Sequence, residues 1–92
     1  MALNRTTDKS EIRKLMHAYM LAPGEQRAPF LATIFTREHR PGGTIFEGAR
    51  PLSACTDVNG ETIYTLTNGD SGYTRPIASV KLSGVEYVET LR

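Results

Sequence analysis

The chain has little of several features on which whole classes of protein depend. It has 92 residues, one cysteine, no tryptophan and a formal net charge of only +1. A single cysteine excludes a disulfide framework within the chain and a zinc site built from cysteines. No apolar run approaches the ~20 residues of a membrane-spanning helix. The small charge excludes a histone-like polycation or an acidic disordered tail. We predict one small domain, residues 1–92, that does not enter a membrane.

The first twenty residues carry basic side chains in an amphipathic pattern, as a mitochondrial presequence does. Asp8 and Glu11 interrupt that pattern, and such presequences avoid acidic residues. The segment also lacks the apolar core of a secretory signal. We therefore expect a cytoplasmic protein in which Cys55 stays reduced.

An amphipathic helix is predicted over about residues 8–21. Asp8 can cap its first turn, and Glu11 can reach back in a capping box. Pro23 favours a stop just after the helix. The apolar residues recur at helical spacing on one face: Ile12, Leu15, Met16, Tyr19 and Met20. The helix must pack on something, because so short a helix is marginal alone in water.

Residues 30–91 have the composition of strands and turns. Asn59-Gly60 between two strand-like runs is a strong signal for a hairpin. Pro76 favours an edge position or a bulge in its strand, and the last strand is expected to place Val85, Tyr87 and Glu89 on one face. Short connections favour an antiparallel meander. We predict an α+β fold, with the N-terminal helix packed on a four- to six-stranded antiparallel sheet.

One segment is similar to the nucleophile loop of chymotrypsin-like serine proteases. It is Gly69-Asp70-Ser71-Gly72, and His39, Asp57 and Ser71 follow that family's order along the chain. The fold of that family needs roughly twice this length to build its cleft. Residues 68–72 are also ordinary turn formers. We therefore predict a turn here and no catalytic residues.

A metal site is not predicted either. His17, His39 and Cys55 share no spacing typical of ligands. In a strand, Cys55 is expected to be a small core residue. Gly42-Gly43 lacks the lysine and the helix of a phosphate loop. We predict no cofactor and no small-molecule substrate.

Basic residues are concentrated in the first half of the chain. Residues 1–50 hold eight Lys/Arg against five Asp/Glu, a net +3, and residues 51–92 hold three against five, a net −2. Arginine, which outnumbers lysine, suits phosphate and carboxylate recognition. The predicted partner-binding residues lie on the outer helix face, around the first turn and after the second strand: Lys9, Arg13, Lys14, Arg37, Arg40 and Arg50. A mixed solvated surface, partly neutralised by Glu11 and Glu38, is the alternative.

The aromatic residues do not repeat in the manner of RNA-recognition sheets. Phe30, Phe35, Phe46 and Tyr64 are expected in the core or half-buried in the sheet. This favours a protein or a protein–RNA complex as the partner, rather than free single-stranded nucleic acid.

In layout, the chain resembles the small phage-encoded anti-CRISPR proteins, in particular the inhibitors of type I surveillance complexes (Cascade or Csy). It shares with them a length under a hundred residues, one helix, a small antiparallel sheet and a charged surface without catalytic residues. The resemblance implies stoichiometric binding to a crRNA-guided complex in the bacterial cytoplasm, which blocks target DNA binding. With a net charge of +1, contact with Cas subunits, and with guide RNA through arginine, is favoured over DNA mimicry.

Two other functions are compatible with the same sequence. A small nucleic-acid-binding regulator would place the helix face on DNA or RNA. A phage structural or assembly protein would pair through the edge strands of its sheet.

Overall fold

The computed structural model describes residues 3–20, 31–37, 43–68 and 75–91. Within them the chain forms one α-helix, seven strands and one 3₁₀ turn. In chain order these are β1 (Leu3–Thr6), α1 (Lys9–Ala18), β2 (Leu31–Thr36), β3 (Thr44–Glu47), β4 (Arg50–Thr56), β5 (Thr62–Thr67), β6 (Pro76–Lys81), the 3₁₀ turn (Leu82–Gly84) and β7 (Val85–Leu91). The prediction of an N-terminal helix with antiparallel strands is confirmed.

The strands form two sheets rather than one. Sheet A has the order β1-β7-β2-β3, sheet B has the order β4-β5-β6, and every pairing is antiparallel. The predicted single meander is wrong, because β7 leaves the chain order and enters sheet A between β1 and β2. Strand β1 was not predicted, because its four residues, Leu-Asn-Arg-Thr, show neither apolar alternation nor a run of strand formers.

Helix α1 begins as predicted and ends earlier. The Asp8 side chain accepts a hydrogen bond from the Ser10 backbone N–H at 3.4 Å, and Tyr19 is the C-cap. The carboxylate of Glu11 lies 3.5 Å from the Lys14 ammonium. Leu21 to Gly24, which contain the predicted stop, lie outside the described residues. The predicted apolar face is confirmed, with Ile12 and Met16 fully buried.

A single hydrophobic core joins α1 to both sheets. Its members come from the helix, from β2 and β7 of sheet A, from β5 and β6 of sheet B, and from the β3–β4 corner: Ile12, Met16, Leu31, Ile34, Ala49, Tyr64, Leu66, Val80, Val85 and Val88. Leu15 and Tyr19 pack at its margin. One face of α1 therefore closes the core, and the opposite face is left in solvent.

A β-bulge in β7 changes which residues face this core. Along β2, the register passes from Tyr87 directly to Val85 and skips Glu86. Because of the extra residue, Val85 and Val88 are both buried although they are three positions apart. The predicted common face of Val85, Tyr87 and Glu89 is therefore wrong, since Tyr87 lies on the outer face of sheet A.

The predicted hairpin at Asn59-Gly60 is confirmed and connects β4 to β5. The Asp57 carboxylate accepts hydrogen bonds from the backbone N–H groups of Asn59 at 2.8 Å and Glu61 at 2.9 Å. Gly60 has φ +79°, a conformation that suits glycine. The last four residues of β4 are all exposed, Cys55 among them. The expectation that Cys55 is a core residue is wrong, because this end of the hairpin extends beyond the core.

Pro76 opens β6, an edge strand of sheet B, and the register with β5 shifts beside it. Both of its predicted settings, an edge and an irregularity, are therefore present. The 3₁₀ turn then leads into β7. None of the helices in the described ranges has the length and apolar character needed to cross a membrane.

Candidate anion-binding site on the first helix

Two of the predicted basic residues line a groove on the solvent side of α1. The groove is bordered by Ser10, Arg13, Lys14 and His17 and has a volume of about 420 Å³. Their spacing of three, four and seven residues places them on one stripe of a helix. We call this surface the α1 groove. It brings two permanent cations, an imidazole and a hydroxyl together at one place.

The two cations of the α1 groove differ in how they are compensated. Lys14 lies 3.5 Å from Glu11, and both side chains are exposed, at 72% and 53%. Such an exposed pair is weak and leaves the lysine accessible. Arg13 forms no ion pair within the described ranges 3–20, 31–37, 43–68 and 75–91. Arg13 is therefore the cation of this surface best placed to meet an external anion.

Lys9 is on the same helix but has a structural role. Its ammonium donates hydrogen bonds to the backbone carbonyls of Ser83, at 3.1 Å, and Val85. These bonds tie the first turn of α1 to the 3₁₀ turn and to the start of β7. Much of the hydrogen-bonding capacity of Lys9 is thus used inside the protein.

Arg37 lies at the end of β2 and shares a second groove with Lys9. Ser83, Gly84 and Glu86 complete its lining; we call it the Lys9–Arg37 groove. The Arg37 guanidinium pairs with the Glu86 carboxylate at 2.5 Å. The structure therefore brings Lys9 and Arg37 to one groove, in which Arg37 is already paired with a carboxylate.

Arg50 lines neither of these two grooves. Arg50 is only 5% exposed. It opens β4 immediately after buried Ala49 and stands opposite buried Thr67. Its side chain is enclosed at this corner, so it adds no charge to the two grooves, and its role in partner binding stays a prediction. Arg40 lies outside the described residues.

Tyr64, which was expected in the core or half-buried in the sheet, is a buried neighbour of two residues of the α1 groove, His17 and Arg13. The residue is fully buried, and its hydroxyl has no hydrogen-bond partner in the described part of the chain. The His17 ring packs edge-on against the Tyr64 ring, with centroids 5.4 Å apart. Burial raises the pKa of Tyr64, and the nearby charge of Arg13 acts in the opposite direction. The Tyr64 ring thus lies against His17, on the Arg13–His17 side of the helix.

The outer face of sheet A carries an aromatic stack that the sequence analysis did not anticipate. Phe35 and Tyr87 stack with centroids 4.9 Å apart and planes 9° apart. The guanidinium carbon of Arg5 lies 4.2 Å from the centre of the Tyr87 ring, and that of Arg37 lies 5.7 Å from the centre of the Phe35 ring. Arg5 also pairs with Glu89 at 3.1 Å. The contacts of Arg5 with Tyr87 and Glu89 depend on the pairing of β1 with β7, and no local pattern in the sequence indicated that pairing.

Of the three residues that follow the serine-protease order, the structure describes only Asp57. Asp57 holds the hairpin turn through its backbone contacts, while His39 and Ser71 lie outside the described ranges. No group of three or more His, Cys, Asp or Glu side chains that could hold a metal ion occurs in the part of the chain described.

Comparisons with known proteins found no matching family model, no similar curated protein and no similar solved structure. The function of the chain is therefore inferred from its own residues and their arrangement.

Proposed function

We propose that this chain is a non-catalytic inhibitor of the anti-CRISPR kind. It docks on a crRNA-guided type I surveillance complex and prevents target DNA from binding. The docking surface is the α1 groove, and the partner presents negative charge to it, from an acidic Cas subunit or from guide RNA.

The observation that carries this proposal is the exposed and uncompensated charge of Arg13. Arg13 has no ion pair within the described residues, whereas Arg5 and Arg37 each meet a carboxylate. Lys14 and His17 border the same groove. Arginine is enriched among the residues that dominate binding energy at interfaces, because its planar fork binds anions through several hydrogen bonds.

The rest of the fold supports a binding role for this surface. Ile12 and Met16 anchor the opposite face of α1 in the core, and Lys9 ties its first turn to sheet A. The helix therefore presents Arg13 and Lys14 on a fixed frame, which reduces the entropy lost on binding. A standard interface buries about 800 Å² on each partner, and a surface of a chain this size can supply that area.

The test is an inhibition assay with purified Cascade or Csy complex and a labelled target DNA. Wild-type chain is expected to block the mobility shift of the DNA at stoichiometric concentration. The double variant Arg13→Ala/Lys14→Ala should need at least about ten times more protein for the same inhibition, which corresponds to ~1.4 kcal/mol.

The matched control is Arg75→Ala/Lys81→Ala, which removes one arginine and one lysine from exposed positions outside the α1 groove. It is expected to inhibit like the wild type. Equal inhibition by both double variants would reject the α1 groove as the docking surface, and a wild-type chain that leaves DNA binding intact would reject the inhibitor function.

A second function, a small nucleic-acid-binding regulator, is favoured by the stack on sheet A. Arg5, Tyr87, Phe35 and Arg37 combine aromatic rings with guanidinium groups, the side-chain types on which unpaired bases stack. A gel shift with naked nucleic acid across a salt series tests it. A steep fall of affinity with salt, together with loss of binding on Tyr87→Ala, would favour the regulator over the inhibitor.

A further inference from the structure

The α1 groove contains an unusual combination of hydrogen-bond donors. Ser10, Arg13, Lys14 and His17 line it. The ring of fully buried Tyr64 contacts the His17 ring, and the Tyr64 hydroxyl has no hydrogen-bond partner among the described residues. A buried hydroxyl left unpaired costs about 1–3 kcal/mol. Buried polar groups in folded proteins usually have a hydrogen-bond partner. The unpaired Tyr64 hydroxyl beside these exposed donors therefore suggests an acceptor from outside the chain.

The acceptor that fits these donors is an anion with several oxygens. Arg13 offers a planar fork, Lys14 an ammonium, and Ser10 and Tyr64 each offer a hydroxyl. A phosphate group accepts hydrogen bonds in several directions at once and pairs especially well with arginine. The Glu11 carboxylate competes with such an anion for these cations, but it pairs with Lys14 rather than with Arg13.

We infer that the α1 groove is a phosphate-binding site, in which Arg13 and Lys14 supply charge and the Tyr64 hydroxyl supplies a buried donor. The ligand is a backbone phosphate of a nucleic-acid strand. This inference rests on the proposed function, since in a crRNA-guided complex the strand is the guide RNA.

The Tyr64 hydroxyl becomes accessible through movement of exposed side chains. Arg13 and His17 are both exposed, and the His17 ring covers the Tyr64 ring at its edge. When Arg13 turns toward a phosphate and His17 moves aside, the phenol can donate to the same group. The backbone of α1 does not need to move, because Ile12 and Met16 hold it in the core.

The experiment is a titration of the full chain with inorganic phosphate, followed by nuclear magnetic resonance, and then with a short single-stranded RNA. Phosphate should shift the signals of Arg13 and His17 at millimolar concentration. Tyr64→Phe should weaken phosphate and RNA binding about tenfold, or ~1.4 kcal/mol. The same substitution should raise the melting temperature, because it removes an unsatisfied buried hydroxyl.

Tyr19→Phe is the matched control, since it removes the same atom from a side chain that packs at the margin of the core and does not line the α1 groove. It should leave phosphate binding unchanged. Unchanged phosphate binding in Tyr64→Phe would overturn the site, and so would a preference for a glutamate-rich peptide over phosphate and RNA. These results are separable from the proposed function, since Arg13→Ala/Lys14→Ala can abolish inhibition of the surveillance complex while Tyr64→Phe has no effect.

Discussion

Two cationic regions of this molecule have similar residues and opposite electrostatic surroundings. On sheet A, Arg5 pairs with Glu89 and Arg37 pairs with Glu86, and both carboxylates come from β7. On α1, Arg13 has no ion pair within the described ranges. The number of basic residues is thus a poor guide to binding capacity, because the partner strand decides which charges remain available.

The two regions also differ in what supports them. Arg5 and Arg37 lie against the Tyr87–Phe35 stack, so their guanidinium groups are held by rings as well as by carboxylates. Within the described part of the chain, Arg13 has neither a carboxylate partner nor a cation–π contact of this kind. A guanidinium that is already engaged must give up its partners to bind a ligand, whereas Arg13 loses only water and rotational freedom.

The largest expected effect comes from removing the anchor of α1. Ile12→Ala deletes a fully buried side chain and should lower the free energy of unfolding by about 2–5 kcal/mol. Chemical denaturation measures it. Leu15→Ala, at the margin of the same core, should cost clearly less. A loss below about 1 kcal/mol for Ile12→Ala would mean that the helix contributes little to the common core.

A smaller effect distinguishes the two lysines of α1. Lys9→Met removes the hydrogen bonds to the Ser83 and Val85 carbonyls and should cost about 1–2 kcal/mol of unfolding free energy. Lys14→Met removes one exposed ion pair and should change stability by less than about 0.5 kcal/mol. Denaturant titration of the two variants side by side is the measurement, and equal losses would contradict the structural role of Lys9.

The smallest expected change in stability directly tests the contrast between the two regions. Glu86→Gln removes the carboxylate that pairs with Arg37 and should cost no more than about 1 kcal/mol. It should create phosphate binding at the Lys9–Arg37 groove, measured by the same titration as at the α1 groove. Glu47→Gln, at an exposed position of β3, removes an equal charge and should not create phosphate binding. If neither variant gains binding, compensation by Glu86 is not what distinguishes the grooves.

Local signals in the sequence predicted the elements that depend on local interactions. Asp8 and the spacing of Ile12 and Met16 predicted α1, and Asn59-Gly60 predicted the β4–β5 hairpin. The pairing of β7 with β1 and β2 was not predictable in this way. It joins residues from 49 positions apart (Thr36 and Val85) to 88 positions apart (Leu3 and Leu91), through backbone hydrogen bonds that leave no periodic pattern in the sequence.

The candidate site was predictable only in part for the same reason. Helical spacing placed Arg13 and Lys14 together on the outer face of α1, because that relation is local. The burial of Arg50 and the ion pair of Arg37 depend on how the sheets meet. The bulge at Glu86 is likewise a product of strand pairing, so the sequence could not indicate which carboxylate faces which arginine.

The position of β7 has a consequence for how the chain is made. During translation, β1 (Leu3–Thr6) and β2 (Leu31–Thr36) are synthesised well before β7 (Val85–Leu91), the strand that pairs with both. Until translation has passed Leu91, those two segments keep backbone edges that can join strands of other chains. Such long-range pairing is slow, so the yield of active protein in a cell depends on how quickly the newly made β7 pairs with β1 and β2.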